Sequence, residues 1–165
     1  AGARNSGTHA LLDLVIEAPD WTAAIPDLEK LAQETAAASL KAAGIPAASL
    51  CVLFGDDAAL QELNARFRGF DKPTNVLSFP AFSDDDGLGD IAIALQTVQR
   101  EAAEQAKSLP DHTRHLIAHG ILHLLGYDHE IESEAQEMED LERRVLAQFG
   151  IPDPYADRAG RGEAP

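Results

Sequence analysis

At 165 residues the chain suits one domain with a real core and is short for two. Its 45% apolar and 25% charged residues are those of a soluble globular protein, and no apolar run approaches the roughly 18 residues of a membrane helix, so no span is expected. A formal charge of −15, from 28 acids against 13 bases, argues against indiscriminate nucleic-acid binding, which needs cations to displace phosphate counterions, but leaves room for a local basic cleft.

In chain order, residues 1–10 lack the pattern of a secretory signal and read as a flexible leader. LLDLVIEA (11–18) alternates as a first strand. Residues 22–43 place Ile25, Leu28, Ala32, Ala36 and Leu40 at helical spacing, and Gly44 ends the run. SLCVLF (49–54) is a second strand whose continuous apolarity implies cover on both faces. Its Cys51, alone in the chain, makes no internal disulfide and reads as a small core residue. Asp56 caps a short helix to about Arg68, with Leu60, Leu63 and Phe67 on one face. NVLSFP (75–80) is a third strand ended by Pro80, SDDDGLG (83–89) is turn material, and DIAIAL (90–95) is a fourth strand. Helices follow at about 95–107, 110–125 and 132–149, the last with Ile131, Ala135, Met138, Leu141, Val145 and Phe149 at helical spacing. From Ile151 onward, three prolines and two glycines imply a tail without fixed structure.

These elements make a single α+β domain over residues 11–149, between the leader and a flexible tail at 150–165. About four strands in a mixed sheet are covered by about five helices. The tight turn between the third and fourth strands favours antiparallel pairing, and the longer helical connections before them permit parallel pairing. Nothing requires an oxidising compartment, so a cytoplasmic location is the default.

Five of the six histidines fall between His112 and His129. His119 and His123 are four apart on a predicted helix, about 40° apart around its axis and about 6 Å along it, so both imidazoles can reach one ion. Gly126 tolerates a left-handed backbone, ends the helix and lets the chain turn back, so that His129 approaches from another side. Three neutral imidazoles leave a tetrahedral ion one open position, the mark of a catalytic rather than a structural site. Coordination there brings water's pKa to about 7. Nitrogen ligands suit Zn2+ first, with Ni2+ or copper also compatible. His115, His119 and His123 form a row too long to close on one ion, so His112 and His115 are read as supporting, surface or packing groups.

The spacing equals that of the metzincin peptidases, but Gly120 stands where they carry the glutamate that activates water. HGILHLLGYDH (119–129) instead closely resembles the hallmark of the YbeY family of bacterial endoribonucleases. LNARFRGFDKPTNVLSFP (63–80) is similar to that family's second signature and GDIAI (89–93) to a third, in the same order, so the resemblance covers about residues 11–149. Asn75 stands where aspartate is commoner in the family and Phe67 where tyrosine is usual. The resemblance implies a single-strand-specific, metal-dependent endoribonuclease acting in 16S rRNA 3′-end maturation and ribosome quality control. It implies that His119, His123 and His129 hold the metal and that Arg68 matches a functionally important arginine. It further implies as partners single-stranded ribosomal RNA, the small ribosomal subunit and one of its proteins, and an Era-type GTPase.

Physical chemistry supports a phosphate-facing role for RFRGFDK (66–72). Arg66, Arg68 and Lys72 concentrate positive charge just before a strand, with Phe67 and Phe70 interleaved. Phe67 is expected to complete the core stripe of its helix, and Arg66 is as readily a solvated surface residue as a phosphate ligand. Asp90 and Asp128 are candidates to orient water or fix a metal-bound imidazole, and Asp128 equally to terminate the turn. Glu130, Glu132, Glu134, Glu137, Glu139, Asp140 and Glu142 are read mostly as a solvated helix face; Glu130 and Glu134 are candidates for the base, and nothing in the spacing selects either. The contrasting reading is a ribosome assembly factor whose metal is structural and which has no nuclease activity of its own.

Overall fold

The computed structural model describes residues 9–81, 87–127 and 131–155. Within them four strands form one mixed sheet in the order β1-β2-β4-β3. These are β1 (His9–Ile16), β2 (Ala47–Gly55), β3 (Val76–Pro80) and β4 (Gly89–Ala94). β1 and β4 each run parallel to β2, and β3 runs antiparallel to β4, as the connection lengths require.

Six helices pack around this sheet among the described residues: α1 (Asp20–Ala24), α2 (Leu28–Ala42), α3 (Asp57–Arg68), α4 (Leu95–Glu104), α5 (Leu109–Leu124) and α6 (Glu132–Ala147). Side-chain alternation sends Leu50, Val52, Phe54, Ile91 and Ile93 to one face, where they meet Leu28, Leu31, Ala32, Ala36 and Leu40 of α2 and Leu116, Ile117 and Ile121 of α5. α6 lies behind these helices, packing Val145 on Ala38 and Ala118, and Met138 and Leu141 on Leu122. On the opposite face α3 covers Leu77, Ala92 and Ala94 with Leu60.

Several expectations are corrected. The helix predicted over 22–43 divides, because Pro26 lacks an N–H and disfavours a helical residue before it; Ile25 is extended at φ −131°, ψ 91°. That break makes six helices where about five were expected. The short α1 is anchored by Trp21, wholly buried, whose indole N–H donates to the Gly55 carbonyl at 2.8 Å. β1 begins at His9, so the last two residues assigned to the leader pair with Ala47 and Ala48. β2 is covered on one face only in full: Cys51 and Leu53 are half-buried because α3 reaches only part of the second face. Residues 151–155, assigned to a structureless tail, return to the body: Ile151 is buried and the Tyr155 hydroxyl donates to Glu142 at 2.7 Å.

Candidate functional site

α5 supplies the histidines. Ser108 caps its start by accepting from the Asp111 N–H at 3.2 Å, and Pro110 sits in the first turn, where a missing N–H costs nothing. Gly120 presses the helix against β4: a Cβ there would lie 3.0 Å from Ile91 Cδ1 and 3.1 Å from its Cγ2. A side chain at 120 would therefore point into the packed interior, so the position that bears the peptidase base is a packing surface in this protein.

The helix ends as its glycine predicts. Gly126 has φ +102°, its N–H donates to His123 O at 3.0 Å, and the Tyr127 N–H reaches back to Leu122 O at 3.2 Å. That bond pair closes a helix in a Schellman motif and turns the chain around. The turn also engages a ligand candidate, since His123 Nδ1–H donates to the Tyr127 carbonyl at 3.0 Å. One helical turn earlier, His119 Nδ1–H donates to Glu142 Oε2 at 3.1 Å. A carbonyl and a carboxylate can only accept, so each ring carries its proton on Nδ1 and its lone pair on Nε2, the form a metal requires. The two rings lie 5.9 Å apart at 28° to one another.

The donor chemistry of His119 and His123 thus fits a transition metal. His129, the third predicted ligand, lies outside the described residues, as do Asp128 and Glu130. Among the described residues no three donors are grouped to hold an ion.

Of the other two helix histidines, His112 is buried and His115 half-buried, and both have acidic partners. His112 contacts Glu101 through Nε2 at 2.9 Å, and burial holds its pKa below the ordinary value despite that carboxylate. Glu101 also accepts from the Asn75 amide at 3.0 Å. An aspartate at position 75 would set two carboxylates against each other there, so asparagine suits its neighbour. His115 Nε2–H donates to Glu142 Oε1 at 2.6 Å.

Glu142 is the residue that sequence reasoning missed. Assigned to a solvated face, it is 0% exposed and accepts from His115, His119 and Tyr155. Burial alone would raise its pKa, but the hydrogen bonds from His115 and His119 outweigh that and hold the carboxyl at about 2, hence ionised. A signal was present: Glu142 sits four residues after Met138 and three before Val145, on the apolar stripe. Glu134 borders the Gly126–Tyr127 turn in a small cleft.

Asp90, a candidate to orient water or fix an imidazole, lies across the sheet from α5. It projects from the sheet face opposite Ile91 and lines a cleft of about 580 Å³ with Val15, Leu53, Phe67, Arg68 and Phe79. Arg68 closes α3, and Gly69 at φ +75° carries the chain away. The guanidinium donates to Ser78 O at 2.5 Å and lies 5.6 Å from the Phe79 ring. Because the Asn75 carbonyl pairs with the Ala94 N–H, alternation turns the Ser78 carbonyl outward, so Arg68 covers the open edge of β3. Ser78 Oγ in turn donates to Gly120 O at 3.4 Å, joining the arginine's strand to the histidine helix.

The remaining basic residues are less tightly held. Arg66 pairs with Glu62 at 2.8 Å, both well exposed, and Lys72 Nζ lies 5.5 Å from the Phe70 ring. Phe67, expected in the core, is 61% exposed and packs edge-on against Phe79 at 5.7 Å, because the last turn of α3 overhangs the cleft. Phe70 is exposed as well.

Comparison with known proteins agrees with this arrangement. A family profile described as Endoribonuclease YbeY matches residues 15–150. Two proteins named Endoribonuclease YbeY from Rhodopseudomonas palustris strains are 56% identical over 74% of this chain and 76% of theirs, and 53% identical over 92% and 85%. A third so named, from Bradyrhizobium sp., is 48% identical over 88% of this chain and 92% of its own. A solution structure from Thermotoga maritima superposes with a TM-score of 0.58 at 26% identity, covering 84% of this chain and 91% of that one. With its three signatures in register over the mixed sheet, and relatives matched over most of their length, the chain belongs to the YbeY endoribonuclease family.

Proposed function

We propose that the protein is a single-strand-specific, metal-dependent endoribonuclease of small-subunit ribosomal RNA, acting in 16S 3′-end maturation and in ribosome quality control. His119, His123 and His129 hold one divalent ion, Zn2+ first and Ni2+ second. When bound, the ion supplies Lewis acidity at the scissile phosphate and lowers the pKa of water. The observation that carries this reading is the pair of Nδ1–H bonds on His119 and His123, which leave both lone pairs on Nε2.

The chain's own residues supply the rest. Arg68 is the catalytic cation. Its bond to Ser78 O holds the guanidinium at the end of α3, and its other N–H groups donate to phosphate oxygens, stabilising charge that grows in the transition state. Arg66 and Lys72 hold flanking phosphates, and the exposed rings of Phe67 and Phe70 offer stacking surfaces to unpaired bases. The acidic body confines RNA to this strip. The same reading takes as partners the small subunit and one of its proteins, with an Era-type GTPase, in the cytoplasm.

Metal analysis of the purified protein, paired with cleavage of a single-stranded small-subunit RNA precursor, tests the proposal. One ion per chain and cleavage that both vanish in His123→Ala are expected. Undiminished cleavage by a variant shown to be metal-free would refute it. Unfolding on chelation, with no cleavage by the loaded protein, would favour an assembly factor with a structural ion.

A further inference from the structure

Resting on the metal reading above, we propose that Glu142 is a positioning residue of the metal centre: it holds His119 in the orientation and tautomer that aim Nε2 at the ion, and Tyr155 clamps it there. Glu142 is fully buried, and its hydrogen-bond partners are two histidines and a tyrosine rather than lysine or arginine. Its two oxygens are divided. Oε1 accepts from His115 Nε2 at 2.6 Å and from the Tyr155 hydroxyl at 2.7 Å, while Oε2 accepts from His119 Nδ1 at 3.1 Å.

A buried carboxylate is a poor way to stabilise a helix interface, since an apolar residue of similar size avoids the desolvation cost. Its neighbours Met138, Leu141 and Val145 show what packing alone selects at this stripe. What the carboxylate adds is direction. It comes from α6, not from the histidine's own helix, so it fixes the ring against rotation within α5 and holds the proton on Nδ1, leaving the Nε2 lone pair for the ion.

The clamp is built from the chain end. Asp153 Oδ1 accepts from the Tyr155 N–H at 2.8 Å, and Asp153 Oδ2 accepts from Arg143 Nε at 3.0 Å. Arg143 lies 5.6 Å from the Tyr155 ring, and Ile151 is buried beneath the segment. Residues past the end of α6 thereby belong to the site, although the family profile ends at 150.

The test measures Zn2+ affinity by chelator competition in the full chain, alongside thermal unfolding of the metal-free protein. An amide keeps one acceptor oxygen and loses the charge, so Glu142→Gln weakens the hold on His119 Nδ1 even where the Tyr155 hydroxyl or the other His115 tautomer accepts from its NH2 group. We expect a roughly 10–100-fold weaker affinity with the fold intact, a smaller loss in Glu142→Asp, and a several-fold loss in Tyr155→Phe, which keeps the carboxylate. Cobalt-loaded Glu142→Gln should also show a shifted d–d spectrum. Wild-type affinity and spectrum in folded Glu142→Gln would overturn the proposal; should neither Glu142 variant fold, unchanged affinity in Tyr155→Phe would do so. If the wild type binds no stoichiometric ion, or His119→Ala binds as tightly as wild type, the metal reading itself fails instead.

Discussion

The histidine helix and the basic tip of α3 meet across strand β3, and they are held in different ways. On α5 the rings of His119 and His123 are each tied through Nδ1 to an acceptor on another segment, Glu142 from α6 for His119 and the Tyr127 carbonyl for His123. At the tip of α3 only Arg68 is tied to a second element; Arg66 bonds within its own helix and Lys72 rests against Phe70. An ion demands ligand positions within a few tenths of an ångström, whereas a flexible single strand can be met by long side chains that adjust. The same contrast sets the size of the effects that mutations should have.

Arg68→Ala should give the largest separation of the two regions. Cleavage of single-stranded RNA is expected to fall by about 100-fold, about 2.7 kcal/mol of transition-state stabilisation, while metal content stays at the wild-type level. Single-turnover rates and elemental analysis of one preparation check both halves. Loss of the metal together with the rate would mean that the two regions are not separable.

Gly120→Ala probes the seat of the histidine helix without touching a ligand. The added methyl meets three atoms of the buried Ile91 side chain at 3.0–3.2 Å, so Ile91 must give way by a few tenths of an ångström. Overpacking of about 1–3 kcal/mol is offset by about 1 kcal/mol of helix propensity, for a net loss of about 1 kcal/mol. Thermal unfolding should shift down by several degrees, and an unchanged midpoint would show that α5 can move off the sheet at no cost.

His112 makes the packed half sensitive to pH. Its folded pKa lies below the ordinary 6.5, chiefly through burial, with His115 and Lys107 adding repulsion and Glu101 opposing. Below that ordinary value the unfolded chain takes up a proton that the folded one refuses, so stability is full above 6.5 and falls as pH drops. Metal-free His112→Gln should therefore lose stability less steeply than wild type between neutral and mildly acidic pH, by at most about 1.4 kcal/mol per pH unit. Parallel profiles would place the acid sensitivity elsewhere.

Arg66→Ala should do least. Its exposed pair with Glu62 is worth under about 1 kcal/mol before solvent screening, so stability should hardly change. RNA affinity should fall a few-fold for all sequences alike, with the salt dependence shallower by about one counterion.

The pairing of His119 with His123 was legible where chain geometry alone dictates position. A four-residue spacing puts two imidazoles on one helix face, and a glycine after the last turn announces the reversal that Gly126 makes at φ +102°. The mixed sheet was legible from connection lengths. The break before Pro26 was written in the sequence too, but the alanine-rich periodicity of 22–43 hid it. Glu142 was overlooked although its place on the apolar stripe signalled burial, because a glutamate among six other acids reads as solvated until its partners on α5 and after α6 are known. Phe67 was misplaced for the related reason that periodicity says which face a residue takes, not how far the neighbouring sheet extends beneath it.

The most direct test of the account is the structure of the protein loaded with Zn2+ or Co2+. The account predicts an ion bound through Nε2 of His119 and of His123, with His129 completing the protein ligands and the Nδ1 atoms still bonded to Glu142 and Tyr127. An ion bound elsewhere, or imidazoles turned so that Nδ1 faces it, would contradict it.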